Sequence, residues 1–284
     1  MLIEQLKNYL AQDRFNNLSL DYKKNLAKEF LQYFILNFIY NNQEYNQLIF
    51  TGGTCLRICF DLPRLSEDLD FDSVLPLNKE KLADDLINFL KTDCQCAEVE
   101  SVIKGQYEKI YLKFDILRAI GLASGVESNK LYVKVEISPE ATGGIYNKEV
   151  SLVSKSNFSF LVSRYSMPDL MAGKIGAIFT RLFFKGRQNQ IEFKGRDYFD
   201  LIWYMNQGTV PNMPRLNKML VLGNYGKQFI GVSEMMSALG NKIDGLNLNH
   251  LEMDLLPFVN DMNFLDAWLK NFKQLFADLS KKYV

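Results

Sequence analysis

Histidine is nearly absent from this chain: His250 is the only one in 284 residues. A histidine-pair zinc hydrolase is therefore excluded, and a Ser-His-Asp triad would have to be built on His250. That residue sits in the polar stretch Asn247-Leu-Asn-His250, with no serine elbow elsewhere, and reads as a solvated loop or helix-end histidine. Cysteine is scarce as well, at Cys55, Cys59, Cys94 and Cys96. The Cys-x-Cys and i,i+4 spacings are not a usual zinc pattern, so buried free thiols are expected. Proline is rare and 48% of the residues are hydrophobic, which excludes a fibrous or disordered chain. No apolar run reaches the roughly 18 residues that a membrane helix needs. The opening MLIEQLKNYLAQDRF has no apolar signal core, so a cytoplasmic protein without a membrane partner is expected. Net charge is missing too, since 33 basic residues balance 33 acidic ones. A protein that coats nucleic acid non-specifically is normally basic, so any such contact must be a local patch.

One patch is present. Arg181, Lys185, Arg187, Lys194 and Arg196 fall within sixteen residues that hold only one acid, Glu192. Acids gather earlier, from Glu67 to Asp72. The chain is long enough for one large domain or two smaller ones. Its first 42 residues read as helices, with Phe30, Leu31, Phe34, Ile35, Phe38 and Ile39 at spacings of three and four. Leu48 to Phe50 reads as a buried strand leading into Gly52-Gly53-Thr54 and a short helix that ends near Pro63. Residues 69–74 alternate acid and apolar and predict a strand; 79–91 predict a helix. Further strands are expected over 97–104, 107–116, 131–138 and 157–163. Helices follow almost to the end, opened by the cap-like Ser166-Met-Pro-Asp169 and closed by an amphipathic helix over about 261–281. The expected fold class is α+β, with a sheet-bearing part over 1–165, N-terminal helices included, and a helical part over 166–284. A cleft between them would be the natural place for a site.

The segment Ser66-Glu-Asp68-Leu-Asp70-Phe-Asp72 carries the clearest chemistry. On a strand, alternate side chains share a face, so Asp68, Asp70 and Asp72 project together. Two like charges ~4 Å apart at an effective dielectric of about 20 repel by roughly 4 kcal/mol, so water or a cation must compensate. Hard oxygen ligands favour magnesium, manganese or calcium. An exposed acidic edge competes with that reading. A calcium loop fails, because Ser73 stands where a glycine is required. A phosphoryl-transfer site would need a phosphate cradle nearby, and Gly52-Gly53-Thr54 supplies one. Between a strand and a helix, such a turn aims bare amides and the helix dipole at an anion.

The whole stretch GGTCLRICFDLPRLSEDLDFD resembles motif one of the AbiEii/AbiGii nucleotidyltransferase toxins, a branch of the DNA polymerase β-like superfamily that includes the MenT-type toxins. The resemblance implies a nucleotidyltransferase-like mixed sheet flanked by helices, then a mainly helical half. It places Gly52, Gly53, Thr54 and Ser66 on the triphosphate, Asp68 and Asp70 on metal, and Arg57 and Arg64 on phosphate. Lys134-Val-Glu136-Ile-Ser138 is similar to the second motif, with Glu136 as third carboxylate. The third motif is matched by Asp169-Leu-Met-Ala-Gly-Lys174 and by Lys194-Gly-Arg196-Asp197-Tyr-Phe-Asp200. Lys174 would contact nucleotide phosphates, and Asp197 would orient it or assist the incoming hydroxyl. Helical geometry puts Lys174 and Arg181 on nearly one line, and Asp200 is expected to pair with Arg196 or Arg181.

By the same resemblance the activity is transfer of a nucleotide from an NTP to an acceptor, with the 3′ end of tRNA foremost. The cofactor is magnesium, with manganese as the alternative. The context is a toxin–antitoxin or abortive-infection system with a cognate antitoxin. Lys185, Arg187, Lys194 and Arg196 become candidate RNA contacts. A small-molecule or protein acceptor, or a nucleotide-binding module without catalysis, are the alternatives.

Overall fold

A computed structural model describes residues 2–105, 109–155, 157–181 and 193–283. Leu182, Lys185, Arg187 and Glu192 lie outside the described residues. The chain divides into two compact units. One comprises Met1–Glu140 with Glu149–Arg164, the other Ala141–Lys148 with Tyr165–Val284.

The first unit begins with helices α1 (Leu2–Leu10) and α2 (Leu20–Asn41). Ser19 caps α2 by accepting from the Tyr22 amide at 3.2 Å. Leu31, Ile35, Leu36 and Ile39 of α2 are fully buried. Phe30, Phe34 and Phe38 flank that stripe, with Phe34 edge-on to Phe158 and Phe38 against Phe89. Then follow β1 (Ile49–Thr51), α3 (Gly52–Phe60), β2 (Asp68–Ser73), α4 (Lys79–Thr92), β3 (Val99–Lys104), β4 (Lys109–Asp115), β5 (Lys130–Pro139), β6 (Lys148–Lys155) and β7 (Phe158–Tyr165). They make one seven-stranded sheet in the order β3-β4-β5-β2-β1-β7-β6. The sheet is mixed: β2 runs antiparallel to β1 and parallel to β5, while β1 is parallel to β7. In β2, Leu69 and Phe71 are buried, whereas Asp68, Asp70 and Asp72 are half-buried on the opposite face. Strand alternation thus places an apolar row in the core and a row of acids on the other side of a central strand.

Strand β6 was not expected. Among its eight residues only Val153 is buried, so it carries little of the hydrophobic alternation that marks a strand. It lies at the sheet edge, where pairing rather than burial defines it.

The second unit is helical: α5 (Met167–Thr180), α6 (Gly195–Asn206), α7 (Met213–Leu222), α8 (Val232–Asp244), α9 (Leu248–Leu255) and α10 (Met262–Ser280). Ser166 caps α5, accepting from the Asp169 amide at 3.4 Å and donating its hydroxyl to the Asp169 carboxylate at 2.5 Å. Asp169 is itself buried and accepts from the Asn147 amide and the Asn212 side chain, which ties the 141–148 excursion and α7 to the start of α5. The α10 stripe, including Leu265, Trp268, Phe272 and Phe276, is buried, with Trp268 against Phe199 of α6. His250 stands in the first turn of α9, the expected helix-end position, but is half-buried rather than fully solvated. The four cysteines are free thiols, of which Cys55, Cys94 and Cys96 are buried. Among the described residues no helix is long and apolar enough to cross a membrane.

Candidate active site

In the sheet unit, register brings the carboxylates of the first two motifs side by side. Asp70 faces Thr51 across β1 and Glu136 across β5, and Asp68 faces Lys134. Gly52 follows Thr51 directly and has φ +77°, a conformation that L side chains rarely adopt. A Cβ there would lie 2.3 Å from Asp70 Oδ2. The Gly52 backbone is thereby pressed against the carboxylate as no other residue could be. At Gly53 a Cβ would lie 2.8 Å from Arg64 Nη2 and 2.9 Å from Ser66 Oγ. Both glycines therefore serve close approach: one to Asp70, the other to Arg64 and Ser66. Thr54 is buried and its hydroxyl donates to the Asp68 carbonyl, which fastens the first turn of α3 to β2.

The arginines differ. Arg64 is buried beside the turn and donates to the Leu65 carbonyl at 2.8 Å. Arg57 instead spans back to α2, with Nε 2.8 Å and Nη2 3.3 Å from the Glu29 carboxylate, and Nη1 3.1 Å from the Leu62 carbonyl. Two of its nitrogens hold α3 on α2 and the third holds the loop that follows α3, so in this structure Arg57 forms a structural clasp.

Two lysines thread the carboxylates. Lys134 Nζ stands 2.9 Å from Asp68 Oδ2 and 3.1 Å from Glu136 Oε2, and Lys109 Nζ is 3.0 Å from that same Glu136 oxygen. Burial alone would lower the Lys134 pKa, but Asp68, Asp70 and Glu136 outweigh it and raise it above its ordinary value. Glu136 is raised by burial, yet Lys109 and Lys134 bring it below the ordinary carboxylate value. Sequence reasoning did not single out these lysines as site residues. Lys134 shares a face with Glu136 by two-residue spacing, but its position beside Asp68 depends on a strand pairing 66 residues apart.

In the helical unit, Lys174 of α5 reaches two acids of α6: Asp197 Oδ1 at 2.8 Å and Asp200 Oδ2 at 2.7 Å. Arg181 Nη1 takes the other Asp197 oxygen. The shared line of Lys174 and Arg181 thus converges on one carboxylate. Asp200, expected beside Arg196 or Arg181, meets the Lys174 ammonium. Burial would raise the Asp197 pKa, but Lys174, Arg181 and Lys194 hold it well below its ordinary value. Lys194, crowded by burial and by Arg196, is pushed down to about 8. A cavity of about 70 Å³ opens here, lined by Arg181, Lys194, Asp197, Tyr198 and Lys242 among others. Lys242 was not anticipated, because it comes from α8.

Arg196 departs from expectation. It is 7% exposed, its backbone amide and Nε donate to Asp254, and its guanidinium lies 3.9 Å from the Phe258 ring centroid. So buried a guanidinium braces α6 on α9.

A glycine turn opening a helix against an aspartate-bearing central strand of a mixed sheet is the layout of an α+β nucleotidyl-transfer protein. Residues 35–278 match the family model described as nucleotidyl transferase AbiEii toxin, type IV toxin–antitoxin system, and the chain belongs to that family. Solved structures agree on the fold. JHP933 from Helicobacter pylori superposes with a TM-score of 0.52 at 18% identity, covering 94% of this chain and 95% of that one. MenT4, a nucleotidyltransferase toxin from Mycobacterium tuberculosis, superposes with a TM-score of 0.53 at 13% identity, covering 100% and 93%. Among curated proteins no significant match is found. Family membership makes the chain an enzyme of the nucleotidyltransferase toxin type, using a nucleoside triphosphate and matched to an antitoxin.

Proposed function

We propose that this toxin transfers a nucleotide from an NTP to RNA, with the 3′ end of tRNA as acceptor, in a magnesium-dependent reaction. The observation that carries the reading is the fit of Gly52 against Asp70. A residue with positive φ and no room for a Cβ sets bare backbone beside a carboxylate, as a metal-bound triphosphate requires.

The donor set suits a hard divalent cation, because Asp68 and Asp70 present oxygens on one face and Glu136 neighbours Asp70 in register. Among the described residues no three acids yet converge on one point, and the Glu136 carboxylate is turned to Lys109 and Lys134. Held by Asp68, Asp70 and Glu136 as one ion or a pair, magnesium, or manganese in its place, would neutralise triphosphate charge and lower the pKa of an acceptor hydroxyl. The rest falls to the chain. Gly52 and Gly53 admit the phosphates to the start of α3, and Arg64 and Ser66 lie against Gly53 to receive them. Lys174 and Arg181 are assigned to nucleotide phosphate. Asp197, gripped at both oxygens, orients these two cations or assists the incoming hydroxyl. Lys194, at the edge of the cavity, is retained as an RNA-phosphate contact.

Incubation with labelled NTP and a choice of acceptors tests the proposal. Label on tRNA supports it, whereas label only on a small molecule or on protein transfers the activity to that acceptor class.

A further inference from the structure

Lys134 belongs to no step described above, yet it stands among the carboxylates of the sheet unit's site. Its ammonium lies within 3.1 Å of Asp68 and Glu136, the outer two of the three carboxylates assigned to the cation. Register explains the placement. Strand β5 runs parallel to β2 with Lys134 opposite Asp68 and Glu136 opposite Asp70, so Lys134 and the acids share one face. Lys109 of the neighbouring strand grips the same Glu136 oxygen, Oε2. Three acids on adjacent strands would repel one another without a cation. Here the chain supplies that charge itself.

We propose that Lys134 is a resident counter-cation that competes with the divalent metal for Asp68 and Glu136. It holds the carboxylates together while metal is absent, and it leaves them when metal binds. The inference rests on the metal reading above. It makes two predictions of opposite sign for one substitution: loss of Lys134 weakens the metal-free fold and strengthens metal binding. A residue that merely packed, or that shaped the carboxylates for metal, would not move both in those directions. Lys134 is in this sense a positioning residue, since nothing here places it on substrate.

The experiment compares wild type, Lys134→Met, Lys134→Arg, Lys109→Met and Asp68→Asn, using manganese alone as the probe. Free manganese is counted by paramagnetic resonance during titration, and melting is followed in EDTA. Lys134→Met should melt below wild type in EDTA and bind manganese about tenfold more tightly, equivalent to about 1.4 kcal/mol. Lys134→Arg keeps the competing charge and should bind within about threefold of wild type. Equal or weaker binding by Lys134→Met, or an unchanged EDTA melt, overturns the proposal. So does binding by Lys134→Arg more than about threefold tighter than wild type. If Lys134→Met does not fold without metal, Lys109→Met decides: freeing Glu136 should tighten binding by a smaller factor, and no gain overturns the idea. The two readings fail separately. Equal manganese binding by wild type and Asp68→Asn removes the metal site and this inference with it. Binding lost in Asp68→Asn but unaltered in Lys134→Met removes only the inference.

Discussion

Gly52 shows how one residue's backbone can fix a site. At φ +77° any L side chain is strained, by roughly 1–2 kcal/mol for the left-handed region, before its Cβ meets Asp70. Gly52→Ala should lower the melting temperature and cut nucleotidyl transfer at least ~10-fold, a loss of ~1.4 kcal/mol in the transition state. A melt together with a transfer assay reads both, and wild-type activity would remove the turn from the site. Asp197 offers a second test, by pH. Its folded pKa lies below the ordinary carboxylate value of 3.8, because Lys174, Arg181 and Lys194 overcome the cost of burial. A group depressed in this way contributes stability that is fully present above its unfolded pKa, near 4, and is lost as pH falls toward the folded value. Asp197→Asn should therefore be less stable than wild type at neutral pH, with the gap narrowing below about pH 4. Urea titrations across that range check it, and a constant gap would show that the ion pairs do not set the stability.

Between elements, Lys174 joins α5 to α6 through two acids whose side chains are 4% and 0% exposed. Breaking a buried pair by removing one partner costs ~3–5 kcal/mol, because the other charge is left buried. Lys174→Met should lose about that much, and adding Asp200→Asn should restore part of it. Chemical denaturation of the single and double variants measures the coupling; additive losses would mean that the contact is not energetically real. This also warns that an inactive Lys174 variant must be shown to be folded. At the same scale lies most of what the sequence could and could not disclose. Helix α2, strand β2 and helix α10 were legible because their periods of 3.6 or 2 are imposed by burial. Strand β6 was not, since its pattern is that of an exposed edge. The Gly-Gly-Thr turn and the alternating aspartates could be read from local spacing, whereas the Lys174–Asp197 pair was implied only by the family resemblance. The Lys134–Asp68 contact, the Lys109–Glu136 contact and the arrival of Lys242 depend on partners tens of residues away, which one sequence does not pair. The acid partners of Arg57 and Arg196 were hidden for a related reason. A basic residue near a motif looks available until its acid, Glu29 or Asp254, is seen packed against it from another helix.

For the whole chain, the composition and the chemistry agree. A protein with one histidine and no net charge is poorly suited to acid–base catalysis by imidazole or to indiscriminate nucleic-acid binding. It is well suited to a reaction driven by charge neutralisation and positioning, which needs carboxylates, glycine amides and a few cations. The family match runs over residues 35–278, and the fold is shared with both solved structures over nearly their whole length. The most direct test is to incubate the purified protein with total tRNA, magnesium and each α-labelled nucleoside triphosphate in turn, beside Asp68→Asn. The account predicts label on tRNA with wild type and its loss with Asp68→Asn, the variant still melting cooperatively in EDTA. Label that persists in Asp68→Asn would contradict the carboxylate assignment, and no label on RNA from any nucleotide would contradict the acceptor.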